Sequence, residues 1–153
     1  VSGFGREAVY AALFAFVQEA LNSAGFPAVT ASRSAQHYSN VGAESMPAIF
    51  QLQKGELVIR KRGLDEKVTL QCELLVYTAG SQDGVTPAST AINNIIDTID
   101  TALSSDTTPE NNQNLGMPDV VQHAWIEGKV EVFEAILVNT SIAIIPIHIL
   151  CTG

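Results

Sequence analysis

Very little in this 153-residue chain is suited to chemistry. Three histidines, His37, His123 and His148, are the only candidates for a general base or a neutral nitrogen ligand, and none stands in an HExxH context or at helical i, i+4 spacing with another. Two cysteines, Cys72 and Cys151, are too few and too far apart for a disulfide framework or a CxxC metal or redox motif, so buried free thiols are expected. The serines lack a GxSxG elbow, which leaves a hydrolase nucleophile without its turn. Gly3-Phe4-Gly5-Arg6 has no preceding strand and no lysine-serine or lysine-threonine pair after it, so it reads as a helix lead-in rather than a phosphate loop. The carboxylate pairs Asp97 with Asp100 and Glu131 with Glu134 have no visible partner to shift their pKa values, and read as solvated. No catalytic, metal or cofactor residue is therefore assigned.

Charge is scarce too. Charged residues make up 16% of the chain against 46% hydrophobic ones, which is lean for a monomer and points to surface covered in an oligomer. Acidic residues outnumber basic ones 16 to 8, and the formal net charge of -8 works against free binding to duplex DNA or anionic lipid. No run reaches the roughly 18 apolar residues of a membrane helix, and the first residues lack a signal-peptide pattern, so a protein used without crossing a membrane is expected.

The length suits one domain over residues 1–153. Val9, Leu13, Phe16, Val17, Ala20 and Leu21 fall at helical spacing from Arg6 to Ala24, with Gly25 and Pro27 as the stop. A short strand is expected within Phe26 to Ser34, a polar loop over Ala35 to Ser45, and a strand over Ala48 to Gln53 closed by Lys54-Gly55. Strict alternation from Lys67 to Tyr77 gives the clearest strand: Val68, Leu70, Cys72, Leu74 and Val76 share one face. A turn-rich connection from Gly80 to Pro87 leads to a second amphipathic helix, whose stripe is Ile92, Ile95, Ile96, Ile99 and Leu103. Ser104 to Asn114 is a polar loop; Val121 to Phe133 and Ser141 to Leu150 then form two strands joined near Asn139-Thr140. Pro146, which cannot donate a ladder hydrogen bond, marks an edge strand or a bulge, and Gly128 a bend in its neighbour. The expected fold is α+β in the order α-β-β-β-α-β-β: a mixed, mostly antiparallel sheet of about five strands with both helices on one face.

Two features remain as contact candidates. Lys54, Arg60, Lys61, Arg62 and Lys67 place five of the eight basic residues within fourteen positions. Such a cluster on a hairpin or loop could grip phosphate or an acidic protein surface; the negative total charge and the lack of interleaved aromatics favour a solvated loop or a protein interface over nucleic acid. Trp125, the single tryptophan, reads equally as half-buried core and as an interface anchor.

Ala11-Ala12-Leu13-Phe14, Pro47-Ala48-Ile49-Phe50, the Leu115-Gly116 step, His123-Ala124-Trp125-Ile126-Glu127-Gly128-Lys129-Val130-Glu131 and Ile144-Ile145-Pro146-Ile147 together resemble the tail terminator, or tail completion, proteins of long-tailed bacteriophages. Met117-Pro118 departs from the pattern, where a second glycine is expected. The resemblance implies a non-enzymatic virion protein, assembled in the host cytoplasm. It implies a homo-oligomeric, hexameric ring that caps the tail tube protein and joins it to the head-tail connector, with DNA passing through the lumen unbound. Arg60, Lys61, Arg62, Trp125 and Pro146 would then lie at subunit or tube contacts. Connector and tail tube subunits are the neighbouring alternatives, and a nucleic-acid-binding module using the Arg60 to Arg62 loop is the more distant one.

Overall fold

A computed structural model describes residues 5–64, 66–81, 85–104, 113–134 and 139–152. The first helix, α1 (Arg6–Ala24), buries Val9, Tyr10, Leu13, Val17 and Leu21 along one stripe. It ends where expected: Gly25 adopts φ 84°, its N–H donates to Asn22 O, and the Phe26 N–H reaches Leu21 O at 2.9 Å. These are the paired bonds of a Schellman cap, which a glycine adopts without a Cβ penalty. The second helix, α2 (Ala88–Ser104), buries Ile92, Ile95, Ile99 and Leu103, four of the five residues read as its stripe, with Ala88.

The strands are β1 (Thr30–Ser32), β2 (Ala48–Ile59), β3 (Lys67–Ala79), β4 (Val121–Ile126), β5 (Glu131–Phe133) and β6 (Thr140–Thr152). They form one sheet in the order β1-β2-β3-β6-β4, with β5 also pairing β6; β1 runs parallel to β2 and every other pair is antiparallel. The fold is thus α+β with a mixed, mostly antiparallel sheet, as expected, though with six strands rather than five. Of the loop read over Ser104 to Asn114, residues 105–112 lie outside the described residues, as do 82–84 of the turn before α2 and 135–138 of the turn before β6.

Alternation decides which face is core. Leu70, Cys72, Leu74 and Val76 of β3 stand opposite Ile149, Ile147, Ile145 and Ala143 of β6, and both helices pack on that face. Ile145, Ile147 and Ile149 are fully buried there. The buried Gln51 amide of β2 donates to Tyr10 O at 2.9 Å and ties β2 to α1; Thr78 donates to Ala88 O at 2.7 Å and ties β3 to the start of α2. On the opposite face a smaller cluster of Val41, Met46, Ala48, Phe50, Tyr77 and Ile142 is closed by the segment before β2, where Tyr77 Oη donates to Gln36 O at 2.6 Å.

Three expectations need correction. Lys54-Gly55 does not end its strand: β2 runs on to Ile59, and the register with β3 shifts between Gln53 and Glu56, so the glycine sits in a bulge. The stretch Val121 to Phe133 is two strands, interrupted around Gly128, whose φ is 103°. Pro146 is not in an edge strand. β6 lies between β3 and the β4–β5 pair, and its register with β3 is unbroken from Thr140 to Thr152. The proline is accommodated because its carbonyl accepts from Glu127 N–H at 3.2 Å. N–H and C=O of a strand residue point the same way, so its missing donor faces the interruption between β4 and β5.

Candidate assembly surface

The basic cluster forms the tip of the β2–β3 hairpin. Gly63 takes φ 80° there, and Leu64 N–H donates to Lys61 O at 3.0 Å to close the turn. Arg60 pairs with Glu66 at 2.9 Å, and this hydrogen-bonded partner holds the Glu66 carboxyl down at about 2. Lys54 pairs with Glu73 at 3.0 Å, whereas Lys61, Arg62 and Lys67 make no ion pair among the described residues. A groove lined by Ile59, Lys61, Leu64 and Lys67 runs along the tip. The pair of Arg6 with Glu56, 2.6 Å apart, fastens the base of the hairpin to α1.

Trp125 lies on the face of the sheet away from the helices, since its partner in β6 is His148, between the core residues Ile147 and Ile149. Its ring stacks on His123, with centroids 5.3 Å apart and an interplanar angle of 8°, and meets His148 edge-on at 5.7 Å. The indole N–H donates to Glu127 Oε2 at 3.2 Å. His123 Nδ1 accepts from Gln113 N–H at 3.0 Å, which places the neutral ring's proton on Nε2, and burial lowers its pKa from the ordinary histidine value. His37 is far from this group in the chain and bonds Ser39 at 2.6 Å. Burial pushes the Cys72 thiol up to about 12 and that of Cys151 up to about 11, so neither supplies a thiolate nucleophile. Among the described residues no three His, Cys, Asp or Glu side chains are grouped to hold a metal ion, and no helix is long and apolar enough to cross a membrane.

The five sequence candidates do not form one site. Trp125 and Pro146 are near one another at the break between β4 and β5, while Arg60, Lys61 and Arg62 lie beyond β3, at the far end of β2. Sequence reasoning missed the apolar side chains beside each group. Leu57, Ile59 and Leu64 are 56%, 45% and 69% exposed on the hairpin, and Val132 and Phe133 are each 43% exposed in β5. The alternation of Leu57 and Ile59 past Gly55 was the available signal, hidden by taking the glycine as a strand end.

The arrangement is therefore a single sheet with helices on one face, exposed apolar and charged corners, and an aromatic group on the other face. No protein-family model matches this chain, and no curated protein matches it. Among solved structures it is similar to a chain described as "Virion of native gene transfer agent (GTA) particle", at 12% identity, covering 96% of this chain and 99% of that one with a TM-score of 0.53. At that identity the likeness shows a shared fold, matched from end to end.

Proposed function

We propose that this chain is a structural protein of a phage-like virion, folded as one domain, which forms a ring that ends the tail tube and joins it to the head connector. The observation that carries the reading is the end-to-end fold likeness to a chain of a virion particle. The tail-terminator resemblance of the sequence supplies the finer role, and the structure offers what such a role needs. A ring requires a head-to-tail contact between two different surfaces of one subunit. Exposed apolar residues sit at two separate corners of this sheet, in the β2–β3 hairpin and in β5. A hexamer of chains with net charge -8 would present a strongly acidic assembly, through which DNA passes without adhering. On this reading Arg60, Lys61, Arg62, Trp125 and Pro146 lie at or beside subunit and tube contacts, and the role is mechanical rather than enzymatic.

Deleting the gene for this chain tests the role. DNA-filled heads and separate tails of abnormal length are expected by electron microscopy, and addition of the purified protein should restore joining. Normal yields of joined particles without the protein would overturn the reading.

A further inference from the structure

The charge of this chain is divided between two regions. Residues 54–67 hold five basic side chains against three acidic ones, whereas the rest of the chain holds three against thirteen. The basic region is the β2–β3 hairpin. At the opposite corner, the rim formed by the end of β4, the break and β5 carries Glu127, Glu131 and Glu134 against the single base Lys129. Glu134 also accepts the Ser89 hydroxyl at 2.6 Å, and Glu127 accepts the Trp125 indole. Each corner has a groove of mixed lining: Ile59 and Leu64 with Lys61 and Lys67 at the hairpin, Val130, Val132 and Phe133 with Lys129 and Glu131 at the rim.

The register fixes how far apart these corners are. Ile59 pairs with Lys67 and Lys67 with Thr152 at one end of β6, while Phe133 pairs with Ile142 near its other end. Ten residues of strand separate Ile142 from Thr152, about 33 Å at a rise of ~3.3 Å per residue, so the two patches cannot meet within one chain.

We propose that a second copy of this chain is the occupant of each corner: the hairpin, through Lys61, Arg62 and Leu64, docks on the next copy's rim at Glu131, Glu134 and Phe133. This rests on the ring reading above and names its contact. Opposite charge steers and orients the approach, and burial of Leu64 against Phe133 supplies the apolar part. Because the two patches differ and lie at opposite corners, the contact is heterologous; an open chain of copies leaves one hairpin free at one end and one rim free at the other until the ring closes. The complementary acidic surface on the same chain, together with the negative total charge, favours a second copy over nucleic acid as the partner of the hairpin.

The test is a charge swap in the full chain, read by light scattering, with far-ultraviolet circular dichroism as the fold control. Lys61→Glu/Arg62→Glu and Glu131→Lys/Glu134→Lys are each expected to be folded monomers. Mixed in equal amounts, they should regain the wild-type mass as alternating copies, since the two contacts of an alternating ring are then one charge-reversed pair and one wild-type pair, both complementary. Lys61→Ser/Arg62→Ser repeats the hairpin arm without added negative charge and should weaken assembly at least tenfold, more at low salt than at high. An oligomeric wild type whose variants keep its mass, or folded variants that stay monomeric on mixing, would overturn this contact and leave the ring reading standing. A hairpin variant that keeps the ring but loses duplex DNA would overturn it in favour of nucleic acid. A monomeric wild type would remove the ring reading and the contact together.

Discussion

Gly128 faces Pro146 across the interruption between β4 and β5: a Cβ added to the glycine would stand 3.7 Å from Pro146 Cγ. Beside it the Glu127 N–H donates to the proline carbonyl. The proline removes one ladder donor and the glycine turns the facing chain away at the same level, so each accommodates the other. The break then sets β5 and its exposed Val132 and Phe133 apart from β4 at the sheet's rim.

Gly128→Ala should destabilise the fold by about 1–3 kcal/mol, because φ 103° is a conformation that L side chains rarely adopt, while the 3.7 Å contact is ordinary van der Waals packing. Urea unfolding followed by circular dichroism measures this. A variant as stable as the parent would show that the break does not depend on the glycine.

Stability should fall in two stages with acid. The folded-state pKa of His123 is depressed, so its contribution is present above the ordinary value of 6.5 and is lost as pH falls through the folded value. Protonation would also place a proton on Nδ1 against the Gln113 N–H. The depressed carboxylates Glu7, Glu56 and Glu66, held by Arg33, Arg6 and Arg60, contribute above 4.5, and Glu66 loses its share as pH falls through about 2. Melting temperature measured from pH 8 to pH 2 should show both stages. His123→Gln should flatten the first and leave the second; an unchanged first stage would contradict the assignment.

The single tryptophan reports on the same group. An indole stacked on an imidazole is quenched when the imidazole takes up a proton, so Trp125 emission should drop below pH 6.5 in the folded protein. The drop should be absent in His123→Gln. A drop of equal size in that variant would place the quenching elsewhere.

Neither thiol should react in the native state. Cys72 and Cys151 are buried on the helix-covered face and their pKa values are pushed up to about 12 and about 11. A thiol reagent at pH 7 should therefore label nothing until denaturant is added, and then two groups per chain. Rapid labelling of the folded protein would mean that the core opens readily.

The periodic parts of this fold were legible in the sequence. Helix α1, helix α2 and strand β3 lie where spacing placed them, because each buries one regular stripe in the main core. What misled was the glycine and proline punctuation. Gly55 reads as a stop, yet it occupies a bulge inside β2; Pro146 reads as an edge strand or a bulge, yet its own strand is central and in unbroken register with β3, and the neighbour on its other side is interrupted instead. Both cases depend on what lies across the ladder, which a single strand's pattern does not contain. Of the contact candidates, the basic cluster was visible as charge density, and its apolar companions Leu57, Ile59 and Leu64 became visible once β2 was seen to continue. The stacking of His123, Trp125 and His148 depends on the β4–β6 register, which spacing along the chain does not fix.

Ring formation is what the proposed role depends on, and the mass of the purified protein in solution reads it out. Light scattering with electron microscopy of the same sample should show closed rings of a single size, with a mass several times the 16.3 kDa of one chain. A monomer at every concentration would contradict the account. So would open filaments that lengthen with concentration, which would favour a tube subunit.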